Sequence, residues 1–472
     1  MYARLRPATF GILDYEIPLA PRPLARAFVA EVRSMPVALQ AWFGFLLAIL
    51  AVAVLAAAIA IPPGWEVFGT TPSFEWGLMI IGYVFFAIMT SGLCLASSLG
   101  TVFGIERFRP FEKRHAILAI LSLTTAFLII ALDLHYPVRM VFGAMLVPSP
   151  SSPMWWMGVF YGLYLVVLLV EVWSMFTDHP KIHQYACTAA AGVAILAPTT
   201  LGAVFGVLNA KAYWNGIFTP ILMVASAFLA GTALLAIVFY AVHRFKLADW
   251  PNAAPVALPS ARILMAVAIA IVGALIARYV LAGLASDVRG MREATVALLS
   301  GPLAPMFWFR VMGGLAIPAI LIALPIARRP ETMLAAGVLV LAGVFVDRYM
   351  FVMAGQIAPI TAGAGTVSQP YASYAPTPVE LALIAGAGAF MALMYTLAER
   401  YLDMGEGDVH VFFNFPWIKQ HHEHDDEEGH DHAASETPAL EPAAAVTVAA
   451  AAATGVAGVA ATGVSTMQGA GS

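Results

Sequence analysis

Long apolar runs, broken at short intervals by charge, set the pattern of this chain. A bilayer-crossing helix needs about 20 apolar residues. Runs of that kind recur at 40–61, 74–100, 115–134, 154–176, 184–208, 214–242, 261–284, 304–327, 332–354 and 379–400. The pattern predicts an all-α, polytopic membrane protein with about ten transmembrane helices. The least sharp boundary falls at 209–213, where Asn209 and Lys211 make the turn. Small residues at helical spacing (Gly92, Ala96 and Gly100 in the second run, Gly337 and Gly343 in the ninth) predict faces where helix backbones approach closely. Pro198, Pro220 and Pro318, within or near spans, free carbonyls locally.

Composition agrees with the pattern. Of 472 residues, 61% are hydrophobic and 11% charged, where soluble domains carry about 25% charged residues. The net charge of −4 is small, and no basic block suggests a nucleic-acid partner. The two cysteines, Cys94 and Cys187, lie inside apolar runs. They are too few for a four-cysteine iron–sulfur site and read as small core residues. The first apolar run starts near Gln40, late for a cleavable signal, so it is expected to insert as the first helix.

Charge between the runs orients them. The N-terminal side and the even-numbered loops hold Arg107, Arg109, Lys113, Arg114, Lys181, Arg244, Lys246, Arg262, Arg328 and Arg329. The odd-numbered loops hold only Arg139, Lys211, Arg289 and Arg292. The positive-inside rule then places both termini in the cytoplasm of an inner membrane. Loops 62–73, 135–153, 285–303 and 355–378 face the other side, the periplasm in a Gram-negative cell. Residues 1–39 form a cytoplasmic segment in which Leu24–Met35 fits either a short interfacial helix or a basic flank. Residues 40–400 are the membrane domain. Residues 401–472 form a cytoplasmic tail, with His421-His-Glu-His-Asp-Asp-Glu-Glu-Gly-His-Asp-His432 followed by an Ala/Gly/Thr-rich end that reads as disordered. Nothing there preorganises a closed metal site. No metal centre is expected in the chain.

Charge inside a span is costly and usually kept for function. With this topology Glu75, Asp133, His135, Arg139, Arg278, Arg310, Asp347 and Arg348 all fall near the outer surface, although chain direction alternates. Structural ion pairs are the plain alternative for any one of them. Asp347 and Arg348 are adjacent and are expected to diverge toward other helices. The densest stretch is Asp133-Leu-His-Tyr-Pro-Val-Arg139. Pro137 lacks the N–H that would bond the Asp133 carbonyl, so the helix should open there and turn Asp133 and His135 into one cavity. Quinol oxidation needs two proton acceptors, which a carboxylate and an imidazole supply. Asp133 and His135 are therefore the candidate catalytic pair, with quinone or quinol as substrate. No histidine pair suits a bis-His haem, and no flavin or nucleotide motif or iron–sulfur site appears. Electrons would have to leave through an external iron–sulfur partner.

These residues carry a family resemblance. The third-run ending Asp133–Arg139, the stretch Trp76-Gly-Leu-Met-Ile-Ile-Gly-Tyr-Val-Phe-Phe-Ala and the small-residue face Ser91-Gly-Leu-Cys-Leu-Ala-Ser-Ser resemble the NrfD/PsrC (polysulfide reductase) family of membrane subunits over about residues 70–355. The length resembles the larger members, such as the ActC and ActF subunits of alternative complex III. The resemblance implies two four-helix bundles, about 74–208 and 214–354, plus flanking helices. It implies menaquinol or ubiquinol bound near the outer face by Asp133, His135 and Arg139, with Glu75, Arg278, Arg310, Asp347 and Arg348 as further quinone-side candidates. It also implies a periplasmic ferredoxin-like iron–sulfur subunit, and beyond it a molybdopterin-type subunit, a second NrfD-like subunit or a subunit of the cytochrome c type. Some members are thought to conduct protons, for which Glu171, Tyr240 and His243 are the inner candidates. Two other classes fit the same charges: an ion- or proton-coupled transporter, and a structural anchor without quinone.

Overall fold

The computed structural model describes residues 9–12, 15–18, 33, 35–60, 67–72, 74–105, 112–134, 147–177, 179–245, 250–288, 290–324, 329–357, 373–402 and 419–420. His135, Arg139, most of Leu24–Met35 and nearly all of the tail lie outside them, as does the side chain of His243. The described chain is all-α apart from short strands near the termini, among them the antiparallel pair Thr9–Ile12 and Tyr15–Pro18. The chain divides into two units, Met1–Lys419 and Gln420–Ser472. All the membrane helices belong to the first.

Among the described residues, ten helices are long and apolar enough to cross a membrane. In chain order they involve α1 (Val37–Ala60), α2 (Leu78–Thr101), α3 (Glu112–Asp133), α4 (Pro153–Met175), α5 (Pro180–Gly206), α6 (Phe218–Phe245) and α7 (Trp250–Leu284). A short α8 (Met291–Leu299) then lies in a loop where the sequence predicted no helix. The eighth span is composite: α9 (Ala304–Trp308), a π-helical stretch (Phe309–Ala316) and α10 (Ile317–Ala323). Helices α11 (Pro330–Ile357) and α12 (Pro378–Tyr401) complete the set.

Local chemistry explains several boundaries. Pro153 and Pro180 occupy the first helical positions of α4 and α5, where a missing N–H costs nothing. Thr377 caps α12 in a reciprocal box with Glu380. Pro318 cannot donate to the Gly314 carbonyl, which accounts for the widened π turn just before it.

Helices α2, α3, α4 and α5 pack on one another, as do α6, α7, the eighth span and α11. Helix α2 joins the two sets through α6 and α11, while α12 pairs with α1 and lies on α3. Glycine makes the central crossing possible. A Cβ on Gly92 of α2 would collide with the backbone of Ala227 in α6, and one on Gly231 of α6 with the backbone of Gly92. The backbones therefore touch, as the small-residue face predicted. Gly314 and Gly343 make a second such contact, between the π stretch and α11.

Candidate functional site

The charged residues singled out above fall into separate places, one at the Asp133 end of the helices, one inside the second set and one at the opposite end. At the Asp133 end, Glu380 is fully buried. Its carboxylate accepts from the N–H of Gly69 (3.1 Å), the N–H of Thr377 (2.8 Å) and the hydroxyl of Tyr374 (2.6 Å). The Tyr374 oxygen in turn accepts from the N–H of Leu78 at 2.7 Å. Burial, then the Glu380 hydrogen bond and charge, hold the Tyr374 phenol above its ordinary range, so it stays protonated and donating. Asp133 is half-buried at the end of α3, within electrostatic reach of Glu380. Two carboxyl groups, from α3 and α12, thus lie within electrostatic reach of each other at one end of the helices. Sequence reasoning missed Glu380, although Thr377-Pro-Val-Glu380 is a capping-box pattern visible in the sequence.

Beside this lies an aromatic wall. Trp76 stacks on Trp214 with ring centroids 5.1 Å apart and meets Phe205 edge-on at 4.9 Å. Gln356 of α11 clamps the Trp76 backbone, accepting from its N–H and donating to its carbonyl, both at 3.0 Å. Glu75 itself is exposed, and its charge acts on Lys211. Burial holds the Lys211 ammonium below the ordinary lysine range, and Glu75 offsets part of that shift.

Inside the second set, Asp347 of α11 is paired with two guanidiniums. Arg310 reaches it from the π stretch and Arg348 from its own helix. Both residues find the expected partners on other helices, but they do not diverge from each other: the long arginine stem also curls back onto its neighbour. Arg348 also donates to Ser226 of α6 at 2.9 Å and contacts Met223. The register follows from the glycines. Gly314 lies one turn beyond Arg310 and Gly343 one turn before Asp347, so the Gly314–Gly343 contact sets acid and base side by side. The cavity against this trio, lined by Ser226, Arg310 and Asp347, is about 10 Å³ and has room for about one water, not a ring. Tyr213 lies within electrostatic reach of the trio, and burial raises its phenol above the usual range. Arg278 is exposed, with its guanidinium 3.1 Å from the centre of the Phe218 ring.

At the opposite end, Glu171 is buried on α4. It meets Cys187 of α5, and Glu112 and His183 complete the group. His183 Nε2 is 2.6 Å from Glu112 Oε1, and Ser174 Oγ is 3.2 Å from His183 Nδ1. Sequence alone reads Cys187 as a plain core residue; the structure places it among acids and an imidazole. Helices α2 and α4 also bury Cys94, Tyr164, Tyr161 and Tyr83, the last two with ring centroids 6.4 Å apart. Tyr240 is half-buried on α6, which also carries His243. Nearby, Arg114 and Glu399 form a buried ion pair at 2.7 Å that ties α3 to α12, with Tyr395 donating to the same carboxylate.

The family described as "Polysulphide reductase, NrfD" matches residues 66–360. The chain belongs to the NrfD family. That match covers α2 to α11, so it contains Asp133, the aromatic wall and the Asp347 trio. Glu380 and the α1–α12 pair lie outside it. Three curated relatives are each 24% identical. An Hdr-like menaquinol oxidoreductase integral membrane subunit from Archaeoglobus fulgidus covers 70% of this chain and 85% of its own length. The C subunit of the selenate reductase from Mesobacillus selenatarsenatis covers 75% and 92%. A putative dimethyl sulfoxide reductase membrane protein, the C subunit, from Halobacterium salinarum covers 77% and 91%. This NrfD-family chain is accordingly a multi-pass membrane subunit akin to those of respiratory oxidoreductases.

Proposed function

We propose that this chain is the quinone-interacting membrane subunit of a respiratory oxidoreductase complex in an inner membrane, and that quinol is oxidised, or quinone reduced, at the Asp133 end. The observation that carries the proposal is the buried Glu380–Tyr374 hydrogen bond beside the Trp76–Trp214 wall, with the Asp133 carboxyl group at the same end within electrostatic reach. Proton acceptors next to a flat apolar wall are what a quinol head group needs as it loses two protons with two electrons. Family membership supports the redox class over a transporter. The relative named for menaquinol points to a substrate of that kind.

In this account Asp133 accepts a quinol proton, and His135 and Arg139, next along the chain, take the second proton and hold the ring oxygen. Electrons leave for an iron–sulfur partner docked on the outer face. Arg310, Asp347 and Arg348 hold the second set together, because their cavity is too small for the ring. Glu171, Cys94, Tyr164, Tyr161 and Tyr83 form the route by which protons reach the bundle from the cytoplasmic end.

Two variants of the assembled complex test this. Asp133→Asn keeps the shape and removes the base, and quinol-dependent turnover should fall by about 100-fold, the scale of a lost general base. Glu171→Gln should keep most of the turnover and lose proton uptake in proteoliposomes. Full turnover in an assembled Asp133→Asn complex would sink the quinol assignment.

A further inference from the structure

The cluster at the Glu112 end carries more than a proton route needs. Glu112 from α3, and His183 and Cys187 from α5, present one ligand atom each, all within 4.8 Å of one another. Their spacing suits a specific ion. With zinc–sulfur bonds of about 2.3 Å, zinc–nitrogen or –oxygen bonds of about 2.0 Å and tetrahedral angles, sulfur should lie about 3.5 Å from each other ligand atom. Cys187 Sγ is 3.5 Å from His183 Nε2 and 3.6 Å from Glu112 Oε1. Only the 2.6 Å His183–Glu112 edge has to open to admit an ion.

A fourth candidate stands beside the trio, outside the group whose ligand atoms all lie within 4.8 Å of one another. Glu171 Oε1 lies 3.8 Å from Cys187 Sγ. Its other oxygen, Oε2, is buried with no hydrogen-bond partner among the described residues, on a residue only 2% exposed. A buried carboxylate oxygen without a donor is costly and asks for a cation. Access is provided by a cavity of about 200 Å³ lined by Glu112, Lys113, Ser174, Thr177, His179 and His183. Lys113 sends its ammonium over the Phe176 ring, at 5.7 Å. Ser174, against His183 Nδ1, orients the imidazole so that Nε2 faces the cluster, as an outer partner of a metal-bound histidine does.

We infer that Glu112, His183 and Cys187 form a binding site for a thiophilic divalent cation, Zn²⁺ in chemical class, and that Glu171 closes in from beside Cys187 as the fourth ligand. Binding releases the Cys187 thiol proton and the proton shared by His183 and Glu112, and all four ligands come from α3, α4 and α5. The ion would pin the ends of these three helices together. The site does not depend on the quinone assignment.

Cobalt substitution on the purified full-length chain, prepared without an affinity tag, tests this. Tetrahedral Co²⁺ with a thiolate ligand gives a sulfur-to-cobalt charge-transfer absorption. The histidine-rich tail has no cysteine, so cobalt held there cannot give that band. The expected result is a band that saturates at one cobalt per chain and disappears when zinc is added. It should be lost in Cys187→Ser and kept in Cys94→Ser. If Cys187→Ser does not fold, Glu112→Gln decides, and should weaken cobalt binding by about tenfold or more. Absence of the band in the wild-type chain at saturating cobalt would overturn the site. So would its persistence in Cys187→Ser, or unchanged affinity in Glu112→Gln.

Discussion

Single side chains fix the Asp133 end. Glu380 accepts from four donors on three residues: the Gly69 N–H, the Thr377 N–H and hydroxyl, and the Tyr374 hydroxyl. Only Thr377 is a helix-capping partner; Gly69 and Tyr374 anchor loops to the start of α12. Glu380→Ala leaves all of them facing a buried void, so it should destabilise the protein by about 3 kcal/mol or more. Thermal unfolding in detergent reads this directly. Glu380→Gln should cost less, because an amide oxygen still accepts. Equal unfolding temperatures for Glu380→Ala and wild type would show that the donors find other partners. Within the Asp347 trio the same logic is sharper, since removing the acid leaves two buried guanidiniums opposed.

Helices meet where glycine lets them. Gly92 and Gly231 bring α2 and α6 into backbone contact, and Gly314 with Gly343 aligns Arg310 on Asp347. Gly92→Val should therefore cost at least about 3 kcal/mol, because backbone cannot move aside as a side chain can. Gly388→Val on α12, where a Cβ meets nothing within 4 Å, should leave unfolding unchanged. Similar losses in both variants would mean that β-branching, not the crossing, decides. Much at this scale was legible in the sequence. All ten spans follow from the length of the apolar runs, and most of their ends lie within about four residues of the helices found, because bilayer thickness sets that length. The π stretch was not legible: Pro318 announced a freed carbonyl but not how the chain would absorb it. Helix α8 is short and sits in a loop read only for its charge. The pairings were the least legible part. Glu112, His183 and Cys187 lie in two different helices and meet only because α3 and α5 share one bundle end, which no local spacing encodes. Glu380 was legible as a cap, and nothing local tells a cap from a carboxylate that also gathers distant loops.

Among the described residues the molecule carries ten helices long and apolar enough to cross a membrane, with the Glu380 and Glu112 carboxylates at opposite ends. Sidedness is an expectation from the positive-inside rule, which predicts the Glu112 end in the cytoplasm and the Asp133 end outside. A fluorescent protein fused at the C-terminus should fold and fluoresce, since it does so on the cytoplasmic side. A dark fusion that is nonetheless present at full length would reverse the assignment and with it the docking face of the electron-transfer partner. The most direct check on the account is photo-crosslinking of the purified complex with an azido-quinone, with mapping of the labelled peptides. Label should fall on segments around Asp133 and Tyr374–Glu380 and be displaced by excess natural quinol. Label confined to the Glu112 end, or to the lipid-facing sides of α1 and α12, would contradict it.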